Sequence, residues 1–597
     1  MNRSHPKDIS MTTTHPSLTP LRSDVRDGMR IDWDTPIPMD DGVVLRCDVF
    51  RPDDDGAYPV LLSYGPYGKG LAFQEGYRTA WDIMVEQHPD TARGSSNAYQ
   101  NWEVVDPEKW VPDGYVCIRI DSRGAGRSPG VSDQHSPRET QDIVDCIEWA
   151  AAQPWCSGKV GMNGISYYAI NAWRAAAQQP PHLAAICAWE GNSDRYREAT
   201  HHGGILCVFA KNWHEMQVKT VQHGRGERGA RSTFNGEWVC GPETLPDDQL
   251  ASNRVDMWQQ LLQHPLDDAY YRERSPDFDR ITVPFLSAGN WGGQGLHLRG
   301  NIEAFARSAS TRKWLEMHGG AHWAEFYTDY GVTLQKRFFG HFLKGEATGW
   351  EDQAQVQLQI RHVDRFVVRG EHEWPLARTQ WTRFHLNPDD LSLSQDAARS
   401  SLSTLDFDAM GDGLTFRSLP MTTDTEITGP SVLRLKVSSS TADADLFVVL
   451  RVFDREDTEV VFHGALDPHT PVGQGWLRAS HRKQNAALSL PYRPYYSHDE
   501  LWPLTPGEPV ALDVEIWPTC IVVPVGYRIA ITIRGKDYEW DGPAATLSNM
   551  KYPMKGCGPF VHDDPDDRPM HLFGGTTTLH FDDAADNAVT LPVIPAA

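Results

Sequence analysis

The stretch KVGMNGISYYAINAWRAAAQQ (159–179) decides the fold. A short apolar run closes at Gly164, the chain turns through Ser166, and an alanine-rich segment follows, which reads as strand, tight turn and helix. A Gly-x-Ser at such a junction is informative. The glycine lets the turn close, so the serine hydroxyl stands clear of the sheet, and the N–H of Tyr167 at the helix start can bind an oxyanion. The second glycine usual in this motif is replaced by Tyr168, with Ala169 after it.

Upstream, VVLRCDVFRP (43–52), PVLLSYGPY (59–67) and YVCIRIDSRG (115–124) are apolar or β-branched runs that end at Gly, Pro or Asp, and they predict strands. TQDIVDCIEWAAAQ (140–153) predicts a helix through Ile143, Ile147 and Trp149, with Thr140 as N-cap. LAAICAW (183–189) is the next strand. Strand alternating with helix predicts an α/β domain with a parallel sheet covered on both faces.

After Glu190 the pattern turns polar, rich in Gly and His, until VPFLSAG (283–289) restores a strand. The sheet then continues through RKWLEMHGG (312–320), and the helix LQKRFFGHFLKG closes at Gly345. The α/β domain is therefore expected in two parts, 28–190 and 279–350, around an inserted cap at 191–278. From 355 to 597 alternating runs such as VQLQIR, SVLRLKVSS and DLFVVLRVF predict a separate all-β sandwich.

Forty per cent apolar residues, with 21 Trp, 21 Phe and 19 Tyr, provide for packed domains and exclude a disordered chain. The net charge of −24 argues against nucleic acid as a partner. No run is long and apolar enough to span a membrane, and residues 1–20 lack a signal-peptide core, so no membrane association and a cytoplasmic address are expected. Nine scattered cysteines without a C-x-x-C spacing read as reduced core residues.

A serine nucleophile needs a base, and on a sheet of this kind the base should follow the last strand. His322, in HGGAHWAEF, lies there. His201, His202 and His214 read as core or surface residues. GRGERG (224–229) follows no strand and opens no apolar helix, so it reads as a loop. His214-Glu215 lacks the second histidine of H-E-x-x-H; no metal and no cofactor are expected.

Taken together, PMDDGVVLRCDVFRP (38–52), GPYGKG (65–70), DSRGAGRSPG (121–130), IEWAAAQPWCSGKVGMNGISYYA (147–169), HGGAHW (318–323), FFGHFLKG (338–345) and LTPGEPVALDVEIWPTCIVVPVGYRIAITIRG (504–535) give a specific likeness. The chain resembles the cocaine-esterase-like (CocE/NonD) α/β hydrolases, which share their layout with X-prolyl dipeptidyl peptidases and α-amino-acid ester hydrolases. The resemblance implies an α/β-hydrolase domain with an inserted helical cap and a C-terminal jelly roll. It also implies that the hydroxyl of Tyr67 joins the Tyr167 N–H in the oxyanion hole.

The sequence departs from the family at the triad acid. Where a loop aspartate is expected, Gly289-Asn290-Trp291-Gly292-Gly293-Gln294 puts Gly292. A carboxylate is still needed to orient the imidazole. Glu190, at the tip of the strand after the nucleophile helix, is the expected substitute, as some other α/β hydrolases place their acid there; Asp194 is the reserve. Trp189, Trp291, Trp323 and Tyr168 are expected to wall an apolar acyl pocket.

The expected activity is hydrolysis of a small-molecule ester by Ser166, His322 and Glu190. An X-prolyl dipeptidyl peptidase or a β-lactam or α-amino-acyl amidase is the alternative; it requires an ammonium site, for which Glu198 and Asp194 are candidates. From another class, a non-catalytic binding protein on a hydrolase scaffold draws on the missing loop aspartate. Cap and jelly roll can both supply subunit contacts, which makes a homodimer one expected assembly.

Overall fold

The computed structural model describes residues 20–396, 402–582 and 586–596. Residues 1–19, read above for the lack of a signal core, lie outside them. Among the described residues no helix is long and apolar enough to cross a membrane.

Eleven strands form one sheet. In spatial order they are Arg22–Arg26, Met29–Pro38, Val44–Arg51, Val116–Asp121, Tyr58–Gly65, Cys156–Ile165, Leu183–Trp189, Phe285–Asn290, Lys313–His318, Val356–Arg361 and Phe366–Glu371. The seven adjacent strands from Val116–Asp121 to Val356–Arg361 run parallel, and the flanking pairs are antiparallel. Side chains alternate across the sheet as the pleat requires. Leu61, Cys117, Cys187 and Leu286 enter one core, with Phe338 and Phe339. Their neighbours Val60, Leu62, Val116, Ile118, Ile186 and Phe285 enter the other, with Ile143, Ile147, Ala172 and Trp173. Two buried faces explain why these strands read as continuous apolar runs.

The helix predicted from Thr140 begins earlier, spanning Pro137–Ala151. Ser136 is its N-cap, accepting from the Glu139 N–H at 3.2 Å, and Pro137 occupies the first turn where its missing N–H costs nothing. The strand VQLQIR, expected to open the β-sandwich, belongs instead to the first sheet, where Val356–Arg361 pairs with Lys313–His318. The second sheet begins only at Gln380.

Among the described residues that second unit also has eleven strands, and Thr425–Ser439 pairs both with Val510–Val523 and with Ala588–Ile594, so the sheet closes on itself around its own apolar core. Between Trp189 and Phe285 lie short helical turns, among them 195–200, 209–218, Asp247–Ser252 and Met257–Gln263, which form the inserted helical region. The sheets lock together through Arg361, buried and donating to the carbonyls of Cys520 and Val472 and to Thr519 Oγ1.

Candidate active site

Ser166 joins the strand Cys156–Ile165 to the helix Tyr167–Gln178 with φ 56° and ψ −112°, a strained conformation for a residue with a side chain. Its N–H is held by the carbonyls of Trp189 and Glu190 at 3.0 and 3.1 Å. Glycine is required at 164, because a Cβ there would stand 2.5 Å from Cβ of Tyr168. Tyr167 is the first helical residue, so its N–H has no partner within the helix.

A mostly apolar cavity opens above this turn, lined by Ser166, His297, His322 and Glu103 and by Tyr67, Trp102, Trp213, Phe209 and Phe560. Ala465 and Leu466 of the β-domain complete one wall. Tyr67 OH accepts from Trp213 Nε1 at 3.0 Å, and its own proton has no acceptor among the described residues. Burial pushes the phenol well above its ordinary pKa, which keeps it a donor.

His322 Nδ1 lies 2.7 Å from Glu190 Oε2, and its Nε2 lies 3.0 Å from Glu103 Oε1. The other oxygen of Glu190 meets His318 Nε2 at 3.0 Å and Asn290 Nδ2 at 3.2 Å, while His318 Nδ1 meets Glu316 at 2.6 Å. Carboxylate and imidazole thus alternate from Glu316 through His318, Glu190 and His322 to Glu103. Burial opposes charge throughout, yet the two histidines overcome it to hold Glu190 down to about 2. Against the same burial, neighbouring carboxylates raise His318 and His322 to about 10. Burial outweighs His322 at Glu103, whose carboxyl rises to about 7.

The hydrogen bond to the serine comes from a residue the sequence reading missed. His297 Nε2 lies 3.0 Å from Ser166 Oγ, and its ring stacks on that of His322 with centroids 5.3 Å apart. The N–H of Asn192 donates to His297 Nδ1 at 3.1 Å. Burial pushes His297 well below its ordinary pKa, so it is neutral and carries its proton on Nε2, facing the serine oxygen. His297 is a donor to Oγ in this arrangement. No motif marks it in GQGLHLRG, and none marks Glu103 in NWEVVDP; only the three-dimensional path of these loops brings them to the serine.

The glycine at 292 has a steric cause. A Cβ there would lie 2.5 Å from Cα of Gly464, because the loop 464–466 of the β-domain packs directly on it. Ala465 donates to the Gly292 carbonyl and accepts from the His322 N–H, which ties that loop to the histidine. Asp194 is not near the ring by any hydrogen bond: it caps the turn 195–200 and pairs with Arg197 at 2.8 Å. Glu198 accepts from two backbone N–H groups and pairs with Arg299.

The four expected pocket aromatics do not line the cavity. Trp189 stacks on His318 in the core, Trp291 donates to the Gln359 carbonyl, Trp323 packs near Trp102, and Tyr168 fills the space over Gly65. Away from the cavity, ligand atoms of His202, Cys207 and His562 lie within 4.8 Å of one another. The two rings hydrogen-bond to each other at 2.8 Å, and Asp537 holds the far nitrogen of His562.

The X-Pro dipeptidyl-peptidase (S15 family) model matches residues 41–324, and that family's C-terminal non-catalytic domain matches 348–566. Cocaine esterase of Rhodococcus sp. is 29% identical over 382 residues, 59% of this chain and 61% of that protein, so the match spans less than two thirds of that relative. A putative serine esterase of Mycobacterium tuberculosis is 24% identical over 590 residues, 84% of this chain and 90% of that protein. The crystal structure of a CocE/NonD family hydrolase from Staphylococcus aureus superposes with TM-score 0.81 at 28% identity, covering 97% of this chain and 98% of that one. The likeness favours an enzyme over the non-catalytic binding reading. The chain belongs to the cocaine-esterase-like (CocE/NonD) hydrolases, serine hydrolases related to the S15 peptidases.

Proposed function

We propose that the chain hydrolyses carboxylic esters through an acyl-enzyme on Ser166. The observation that carries this reading is the acid-backed imidazole beside the strained serine: Glu190 lies 2.7 Å from His322 Nδ1, and both His322 and Ser166 line the one cavity. His322 donates to Glu190 through Nδ1, which leaves Nε2 to take the serine proton once it turns from Glu103. The oxyanion forms against the Tyr67 hydroxyl and the Tyr167 N–H, and each such donor is worth roughly 2.7–4 kcal/mol to the transition state. His322 returns its proton to the leaving alcohol, then activates the water that frees the acid.

An ester fits better than an aminoacyl or dipeptidyl substrate. Of the carboxylates that could receive an ammonium group, Asp194 and Glu198 are already committed to Arg197 and Arg299, and Glu103, which lines the cavity, is engaged through Oε1 with His322. A panel of p-nitrophenyl esters beside Ala-Pro-p-nitroanilide tests the order. Ester turnover with little anilide turnover is expected, and the reverse preference would replace this reading with the peptidase.

A further inference from the structure

Arg195 lines the same cavity as Ser166, is 7% exposed, and belongs to no ion pair among the described residues. Its guanidinium has one contact of hydrogen-bond type, Nη2 to Met257 Sδ at 3.4 Å, and its Nε is buried without a partner. A buried cation is ordinarily paired, because an isolated one costs several kcal/mol in lost hydration. Four other arginines of this region obey that rule. Arg174 pairs with Glu139, Arg197 with Asp194 and Asp267, Arg274 with Asp133, and Arg299 with Glu198 and Glu515. These carboxylates are therefore taken, and the titratable groups that act on Arg195 include the phenols of Tyr167, Tyr270 and Tyr271, the imidazole of His135, and the further cations Arg174 and Arg274. Burial pulls the guanidinium pKa down, but arginine remains protonated in proteins.

We infer that Arg195 is the receptor for a carboxylate on the substrate, so that the preferred esters are anionic. This rests on the ester-hydrolase reading of Ser166 and names its substrate class. The planar guanidinium fork suits a carboxylate, and a mostly apolar wall strengthens the pair by excluding water. The ligand supplies the missing counter-charge, so the unpaired cation becomes a source of selectivity.

Two substrate series separate the acyl side from the alcohol side: mono-p-nitrophenyl adipate against p-nitrophenyl hexanoate, and 4-carboxyphenyl butyrate against phenyl butyrate. In at least one series the wild-type kcat/KM is expected to be tenfold or more higher for the anionic member. Arg195→Met should abolish that advantage, bringing the ratio of anionic to neutral kcat/KM to about one. The variant should melt no lower than the wild type, since an unpaired buried charge has been removed, and adipate should raise the Tm of the wild type alone. Equal rates for both members in both series, or the same ratio in Arg195→Met, would overturn the inference while neutral-ester turnover leaves Ser166 hydrolysis standing. A large fall in Tm would assign Arg195 a packing role and overturn it as well. Failure of Ser166 to react with a fluorophosphonate would instead reject the underlying hydrolase reading.

Discussion

Glu190 Oε2 lies 2.7 Å from Nδ1 of His322, on a residue whose backbone takes the left-handed φ of 46°. That turn at the strand tip brings the carboxylate under the imidazole, while the position where the family places an acid is closed by Gly464. The carboxylate at the imidazole thus stands at the end of the strand Leu183–Trp189, next to the strand Phe285–Asn290 whose following loop carries Gly292 under the β-domain.

Glu190→Gln keeps the shape but removes the charge that fixes the ring and stabilises its cation. We expect kcat to fall by about 10²- to 10⁴-fold with KM little changed. Asp194→Asn should leave kcat near wild type and lower Tm, because Asp194 pairs with Arg197. Steady-state kinetics of both variants checks this; loss of turnover in Asp194→Asn with retention in Glu190→Gln would reverse the assignment.

With His322 as the proposed base, its contact with Glu103 is expected to set the pH at which it acts. The imidazole must be neutral to accept the serine proton, so kcat/KM rises as pH climbs through its pKa. Burial lowers that pKa while Glu190 and Glu103 raise it, to about 10 in total. Glu103→Gln removes one of the two raising charges, so the acid limb should move to lower pH. A charge-assisted hydrogen bond of about 1.5–3 kcal/mol corresponds to roughly one to two pH units. An unmoved limb in the pH profile would mean that Glu103 does not face His322 in the working enzyme.

His297 and His322 stack on each other but carry different protons, and their variants should differ. His297→Ala loses one neutral hydrogen bond to Oγ, a cost of about 3- to 10-fold in kcat, and leaves the acid limb in place. His322→Ala loses the base, about 10²- to 10⁴-fold or more. If His297→Ala proves the more damaging and also erases the acid limb, His297 is the base.

The sequence was most legible where local chemistry and fold agree. Ser166 stood out because its Gly-x-Ser falls where a strand meets a helix, and Glu190 because it ends the strand after the nucleophile helix in a chain whose loop lacks the aspartate that the resemblance leads one to expect. Thr140 misled because Ser136-Pro137-x-Glu139 forms the stronger cap just upstream. Val356–Arg361 misled because an alternating strand carries no mark of which sheet it joins; only Arg361 reaching Cys520 and Val472 reveals its place at the seam. His297, Glu103 and Arg195 were invisible for a common reason. Each comes from a loop or insertion whose course is set by tertiary packing, and their roles depend on what they face.

Reaction of the folded protein with a fluorophosphonate, followed by peptide mass mapping, asks whether Ser166 is the nucleophile of this cavity. One phosphonyl adduct is expected, located on Ser166 and formed far more slowly in Glu190→Gln. Folded protein that remains unlabelled, or an adduct on another residue while Ser166 stays free, would contradict it.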